Sequence, residues 1–237
     1  MYSLQGLIRK NIINTQTQFE RLGYVSSNFS NYNTTGYKSV RFEQMLDENG
    51  YLEGAIRVNT SNGSLRRTEN RMDIAIQGVG YIPVTSPDGD VQYTRDGAFK
   101  TNTEGYLTTN DGFLVGEGIK LPANHEHLRI TENGEVYVYD LKNPEEAYVG
   151  KIPLVTFANA EGLKDAGYNK YVPTEESGEP LLMKEHDYIR QGFLETSNTN
   201  IFAGVSDMLR LNASMIASMS LMKVVNGMYE KSINLRQ

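Results

Sequence analysis

The side chains in this sequence best suited to chemistry are three histidines, and their spacing decides what they can do. His125 and His127 would share one face of a strand with Glu126 between them, which begins a metal site. They flank a Pro122-Ala-Asn124 loop, however, and spacing supplies no third ligand. His186 sits in Lys184-Glu-His-Asp187 with no serine elbow, so no Ser-His-Asp triad is assembled. Gly78-Val-Gly80 lacks the third glycine and the following helix of a dinucleotide fingerprint, and no Walker-type run occurs. Asp and Glu fall mostly in turns, where they shape the backbone and keep the chain soluble. Without cysteine there is no disulfide, thiolate metal site or thiol nucleophile. The expectation is a protein that is not an enzyme and that uses no cofactor and no metal.

Charge and hydropathy narrow the partners. A net charge of −6, with no block of Lys and Arg, argues against a nucleic-acid groove. No apolar run approaches membrane-spanning length, so the chain is expected not to be membrane-embedded. The first residues lack a basic stretch followed by an uninterrupted apolar core, so export, if it occurs, is expected without a cleaved signal. The 237 residues are enough for one large domain or two smaller ones.

The informative elements are at the two ends. Near the start, Ile8, Ile12, Thr15, Phe19, Leu22, Ser26 and Phe29 recur at steps of four and three, the spacing of a coiled-coil seam. Near the end, Val205, Met208, Asn212, Met215, Met219, Met222, Asn226, Tyr229 and Ile233 do the same, with Thr196, Ser197 or Asn198 placed to cap the helix. Methionine adapts to non-identical surfaces. Leu209, Leu211, Ile216, Leu221, Val224 and Val225 lie outside this second seam and ask for further partners, so a bundle completed by other copies is expected. Ile8, Ile12, Phe19, Leu22, Val205, Met208, Met215, Met219, Met222 and Tyr229 are the candidate assembly residues.

Between the ends, Ser27 to Lys38 reads as a helix exit and a corner. Its Asn and Thr side chains compete for the backbone, and Gly36 is free to take a positive φ. Residues 39–70 are polar and read as an extended connector. From Arg71 the period becomes two, and turn signals such as Pro87-Asp-Gly89, Arg95-Asp-Gly97, Asn110-Asp-Gly112 and Glu132-Asn-Gly134 separate short β-rich runs. The Tyr-rich strands are expected to pack on one another, with an exposed sugar-binding platform as the alternative. The fold class is α+β: N- and C-terminal helices in a coiled-coil-like bundle, and a central all-β domain of antiparallel hairpins. The boundaries are 1–38 for the first helix and turn, 39–70 for the connector, 71–190 for the β domain and 191–237 for the last helix.

Four separated stretches, in order, resemble the flagellar basal-body rod and hook proteins of bacteria, most closely the proximal-rod and distal-rod members. The first is Asn31, Thr34, Gly36, Tyr37 and Lys38, matching the family's Asn-x-x-Thr-x-Gly-[Phe/Tyr]-Lys signature turn. The others are Asp73-Ile-Ala-Ile-Gln-Gly-Val-Gly-Tyr81, Tyr93-Thr-Arg-Asp-Gly-Ala-Phe99 and Gln191-Gly-Phe-Leu-Glu-Thr-Ser-Asn-Thr-Asn200. Departures include Ser27, Phe29 and Ser30 around the signature and Leu211-Asn-Ala-Ser-Met215 in the tail. The resemblance implies a structural subunit of the flagellar basal body that polymerises helically into a hollow, torque-transmitting shaft. Its terminal helices would line the inside. The implied partners are further copies of itself, other rod and hook proteins, the flagellar type III export apparatus and surrounding ring proteins. A hook-type axial subunit is the alternative within the family; a carbohydrate-binding or adhesin module with oligomerisation helices is the alternative outside it.

Overall fold

A computed structural model of the chain describes residues 4–46, 52–122, 127–140 and 143–234. His125 and Glu126 lie outside the described residues. The chain divides into a helical unit, drawn from 1–30, 40–57 and 199–237, and a β unit, drawn from 31–39 and 58–198.

In the helical unit, α1 spans Leu4–Ser30 and α2 spans Ile201–Asn234. They run antiparallel, because Asn11, Gln18 and Arg21 of α1 meet Ser218, Ser214 and Asp207 of α2 in that order. The cap of α2 is Asn200, whose side-chain oxygen accepts from the Ala203 amide at 3.1 Å, and not Thr196, Ser197 or Asn198. Those three residues precede the helix by too much to reach its first free amides. The α2 stripe that is buried or half-buried runs Gly204, Met208, Leu211, Met215, Ser218, Met222, Val225, in steps of four and three. It shares Met208, Met215 and Met222 with the seam expected from sequence; Val205, Asn212, Met219 and Asn226 are exposed. The phase is ambiguous because α2 is apolar on more than one side, so two stripes satisfy the same period.

The stretch expected as an extended connector, 39–70, holds more order than its composition implies. Val40–Leu46 and Leu52–Val58 pair as a hairpin, and Leu65–Arg67 pairs with Phe193–Glu195. Within the helical unit this hairpin is tied down by Asn28, whose amide donates to the Val40 carbonyl and accepts from the Val40 amide, both at 2.8 Å. Tyr24 stacks on Phe42 with ring centroids 5.7 Å apart.

The β unit is antiparallel throughout its described pairings. Its largest sheet orders Lys164–Gly167, Lys170–Val172, Val91–Thr94, Ile82–Thr85, Leu114–Val115, Leu107–Thr108 and Lys100–Thr101 side by side. Leu128–Ile130, Glu135–Asp140 and Asn143–Lys151 form a second sheet. Ile74, Ile76, Ile82, Val84, Leu107, Val115, Val136, Ile152, Leu154 and Ile189 make the aliphatic core. Burying each of these side chains contributes on the order of 1.5–3 kcal/mol before the entropic cost of ordering the chain. A second, aromatic cluster sets Tyr81, Tyr93 and Tyr171 edge-on around Phe157 and one another, with centroids 5.0–5.8 Å apart. These tyrosines are core, not an exposed platform. One expected hairpin turn is something else. Asp96-Gly97 brings the chain against the strand Ile74–Ile76, where a Cβ on Gly97 would stand 1.9 Å from the Ile74 carbonyl oxygen.

Candidate functional site

The β unit draws all four signature stretches to one buried ion cluster. Glu195, at the end of Phe193–Glu195, is its centre. One carboxylate oxygen accepts from the Lys38 ammonium at 2.8 Å and from the Gly63 amide at 2.7 Å; the other accepts from Arg95 Nε at 2.8 Å. All three charged side chains are at most 3% exposed. Arg95 spends its other donors on the carbonyls of Ile76, Gly78 and Gly80 and on Asn62 Oδ1, at 2.8–3.1 Å. That is why Gly78-Val-Gly80 reads as a broken strand: its carbonyls turn toward a guanidinium, not toward a phosphate. Lys38 completes itself on the Ser61 carbonyl at 2.7 Å.

The signature turn docks on this cluster through its backbone. Asn31 accepts from Thr34 through both its carbonyl and its side-chain oxygen, and Tyr37 closes the turn onto Thr34. Gly36 takes φ +66° and donates its amide to the Glu195 carbonyl at 2.7 Å. Asn198 reads the next residues, accepting from the Ser39 amide at 2.7 Å while its NH2 donates to the carbonyls of Asn59 and Ser61 at 2.8 Å. The Asn169 side chain donates to the Thr35 carbonyl at 2.7 Å. Residues 31–39 are thus held by contacts from segments far along the chain. Arg95, Glu195 and Asn198, which do the holding, stand inside the signature stretches but were not singled out by sequence reasoning. No local signal marks them, because the burial of Lys38 is a property of the fold and not of the polar turn that carries it.

A Cβ on Gly36 would lie 2.5 Å from the Arg95 carbonyl carbon and oxygen. Gly36→Ala is therefore expected to destabilise the β unit by roughly 2–4 kcal/mol, from backbone strain and forced displacement together. Gly112→Ala is the control, because Gly112 has φ +91° but meets nothing within 4 Å, and it should show the strain part alone. Gly134 is no such control, since its Cβ would stand 2.4 Å from the Ile152 carbonyl oxygen. Equal denaturation midpoints for Gly36→Ala and Gly112→Ala would show that the contact with Arg95 is not tight.

Two cations share one anion here, and the stronger acid of the two, the Lys38 ammonium, gives way. Burial, then the Arg95 charge, lower the Lys38 ammonium from its ordinary 10.5 to about 8, with Glu195 pulling the other way. Between those values the unfolded chain holds more protons on Lys38 than the folded one does, so this group's contribution to stability rises with pH. From pH 7.5 to 9.5 the gain should be about 2 kcal/mol. It should be absent from Lys38→Met when both are followed by chemical denaturation. A parallel pH dependence in the two proteins would refute it.

In the helical unit, the candidate assembly residues fall in two groups. Ile12, Phe19, Val205, Met219 and Tyr229 are exposed, each between 43% and 53%. Met215 is buried, and Ile8, Leu22, Met208 and Met222 are half-buried. Phe202, Leu209, Ile216, Leu221, Val224 and Met228 are also exposed, so α2 presents apolar side chains on more than its packed side. Among the described histidines, His127 meets Arg71 at 3.0 Å and stacks on Tyr139, and His186 stacks on Tyr188.

Residues 75–138 match the profile of the flagellar hook protein FlgE/F/G D1 domain. Over most of its length the chain is similar to flagellar basal-body rod proteins. It is 30% identical to the rod protein FlgG of Buchnera aphidicola subsp. Baizongia pistaciae, over 89% of this chain and 92% of that one. It is 30% identical to FlgG of Agrobacterium fabrum, over 81% and 84%. It is 31% identical to the rod protein FlgF of Mesorhizobium japonicum, over 76% of both.

Proposed function

On the premise that this chain belongs to the flagellar basal-body rod proteins, a structural family of the flagellar basal body, we propose that its copies assemble helically into the rod, a hollow shaft carrying motor torque to the hook. The observation that carries this reading is the apolar surface left on the terminal helices: Phe202, Leu209 and Ile216 are each 65–87% exposed on a helix that is also apolar on its packed side. Covering such side chains with neighbouring copies releases on the order of 25 cal/mol per Å2 removed from water, offset by the cost of ordering and association. In this reading Ile8, Ile12, Phe19, Leu22, Val205, Met208, Met215, Met219, Met222 and Tyr229 belong to a bundle formed by several copies. The remaining partners are adjoining rod and hook proteins and the type III export apparatus. The burial of Tyr81, Tyr93 and Tyr171 speaks for this role over a carbohydrate-binding module.

The test is electron microscopy of basal bodies from cells expressing the tagged chain. Helically repeated density for this chain in the rod, with α1 and α2 innermost, is the expected result. Its absence from the rod, or a single copy per basal body, would overturn the proposal.

A further inference from the structure

The packed side of the two terminal helices is apolar at Met208, Leu211, Met215 and Met222, but it is interrupted by polar side chains. Three polar contacts cross from α1 to α2. Asn11 Nδ2 donates to the Ser218 carbonyl at 3.0 Å, Gln18 Nε2 donates to Ser214 Oγ at 2.8 Å, and Arg21 reaches Asp207 at 3.5 Å. Asn14 Oδ1 and Gln18 Oε1 are buried without a hydrogen-bond partner. Meanwhile Ile12 and Phe19 on α1, and Leu209, Ile216 and Met219 on α2, point outward, 50–66% exposed. A seam chosen for stability alone would hold apolar side chains in these places, because a buried amide acceptor without a donor costs on the order of 1–3 kcal/mol.

What a polar seam supplies is register. Apolar side chains slide past one another by a heptad at little cost, whereas a buried amide has one satisfactory partner, and a single such residue can fix the alignment of two helices at the expense of stability. The order fits. Asn11, Gln18 and Arg21, rising along α1, meet Ser218, Ser214 and Asp207, falling along α2, so all three contacts belong to one antiparallel alignment.

We propose that Asn11, Gln18 and Arg21 are register-setting residues. They align α1 against α2 so that Ile12 and Phe19 fall level with a fixed part of the outward apolar stripe of α2. The assignment deepens the rod reading, because the composite outer surface, and so the fit to a second copy, depends on that alignment.

The absence of cysteine makes register directly measurable. In the purified full-length chain, Gln18→Cys with Ser214→Cys reports the alignment seen here, and Gln18→Cys with Leu221→Cys reports a slip of one heptad. With the other polar contacts intact, mild oxidation should form the first disulfide at least tenfold faster than the second. When Asn11→Leu and Arg21→Leu are added, the two rates should converge to within about threefold, while the helices melt at a higher temperature. Three results would overturn the proposal. They are comparable rates with the polar seam intact, a retained tenfold preference after its replacement, and no disulfide from either pair. None of these needs assembly, so incorporation of the same variants into basal bodies, followed separately, tells failure of the register idea from failure of the rod reading.

Discussion

Glu195→Gln should cost the β unit about 3–5 kcal/mol, the largest loss expected from any single isosteric change in this chain. The wild-type carboxylate accepts three hydrogen bonds, from Lys38, Gly63 and Arg95, in a place that water does not reach. Glutamine keeps the shape but removes the only anion between two cations, and it turns an NH2 toward a group that is itself a donor. Two buried charges are then left without compensation, and the signature turn loses its anchor. Lys38→Met should be milder, because Arg95 and Glu195 remain a one-to-one pair. Adding Lys38→Met to Glu195→Gln should recover part of the loss. Glu146→Gln is the external control: its pair with Arg129 is 39–55% exposed, and solvent screening leaves such a contact worth less than about 1 kcal/mol. Urea denaturation of the four variants measures all of this. A Glu195→Gln midpoint within error of Glu146→Gln would mean that the cluster does not hold the turn.

The ion cluster also shows where a sequence stops speaking. The helices at both ends, the positive φ at Gly36 and the antiparallel hairpins were legible, because each is written in a local period or in turn chemistry that a few neighbouring residues decide. The cluster was not. Lys38, Arg95 and Glu195 are 157 residues apart at the extremes, and each alone looks like a charge in a polar stretch. Only their common burial makes them one object. The hairpin at Val40–Leu46 and Leu52–Val58 was missed for a related reason: it has little aliphatic core, and depends on Asn28 and on Tyr24 stacked against Phe42, contacts supplied from α1. Turn signals also misled at Asp96-Gly97, where glycine serves close approach to the Ile74–Ile76 strand and no hairpin. As for α2, its period was plain, but a helix apolar on several sides lets more than one stripe fit, and spacing alone selected a stripe one residue away from the packed one at Val205, Asn212 and Met219.

That difference in stripe sharpens what Met219 can test. Met219 is 52% exposed and continues an outward row through Val205, Leu209, Asn212 and Ile216, at steps of four and three, whereas Met215 is 6% exposed. An aspartate at an exposed helix position disturbs the free protein little, by less than about 1 kcal/mol from helix propensity and lost apolar contact. Met219→Asp should therefore leave melting of the free chain and its export nearly unchanged. Met215→Asp should lower the stability of the helical unit itself, by several kcal/mol, because its charge would be buried without a partner. In an assembled shaft the distinction disappears. The row containing Met219 would be covered by other copies, and a carboxylate there would meet apolar side chains only, a penalty again of several kcal/mol and one repeated in every subunit. Cells carrying Met219→Asp should secrete the protein, fail to incorporate it and lose motility. Met219→Leu, which preserves volume and apolarity, should swim normally. Normal rods and normal swimming with Met219→Asp would mean that this row stays in water after assembly, and the helices' outward apolar faces would then need another explanation.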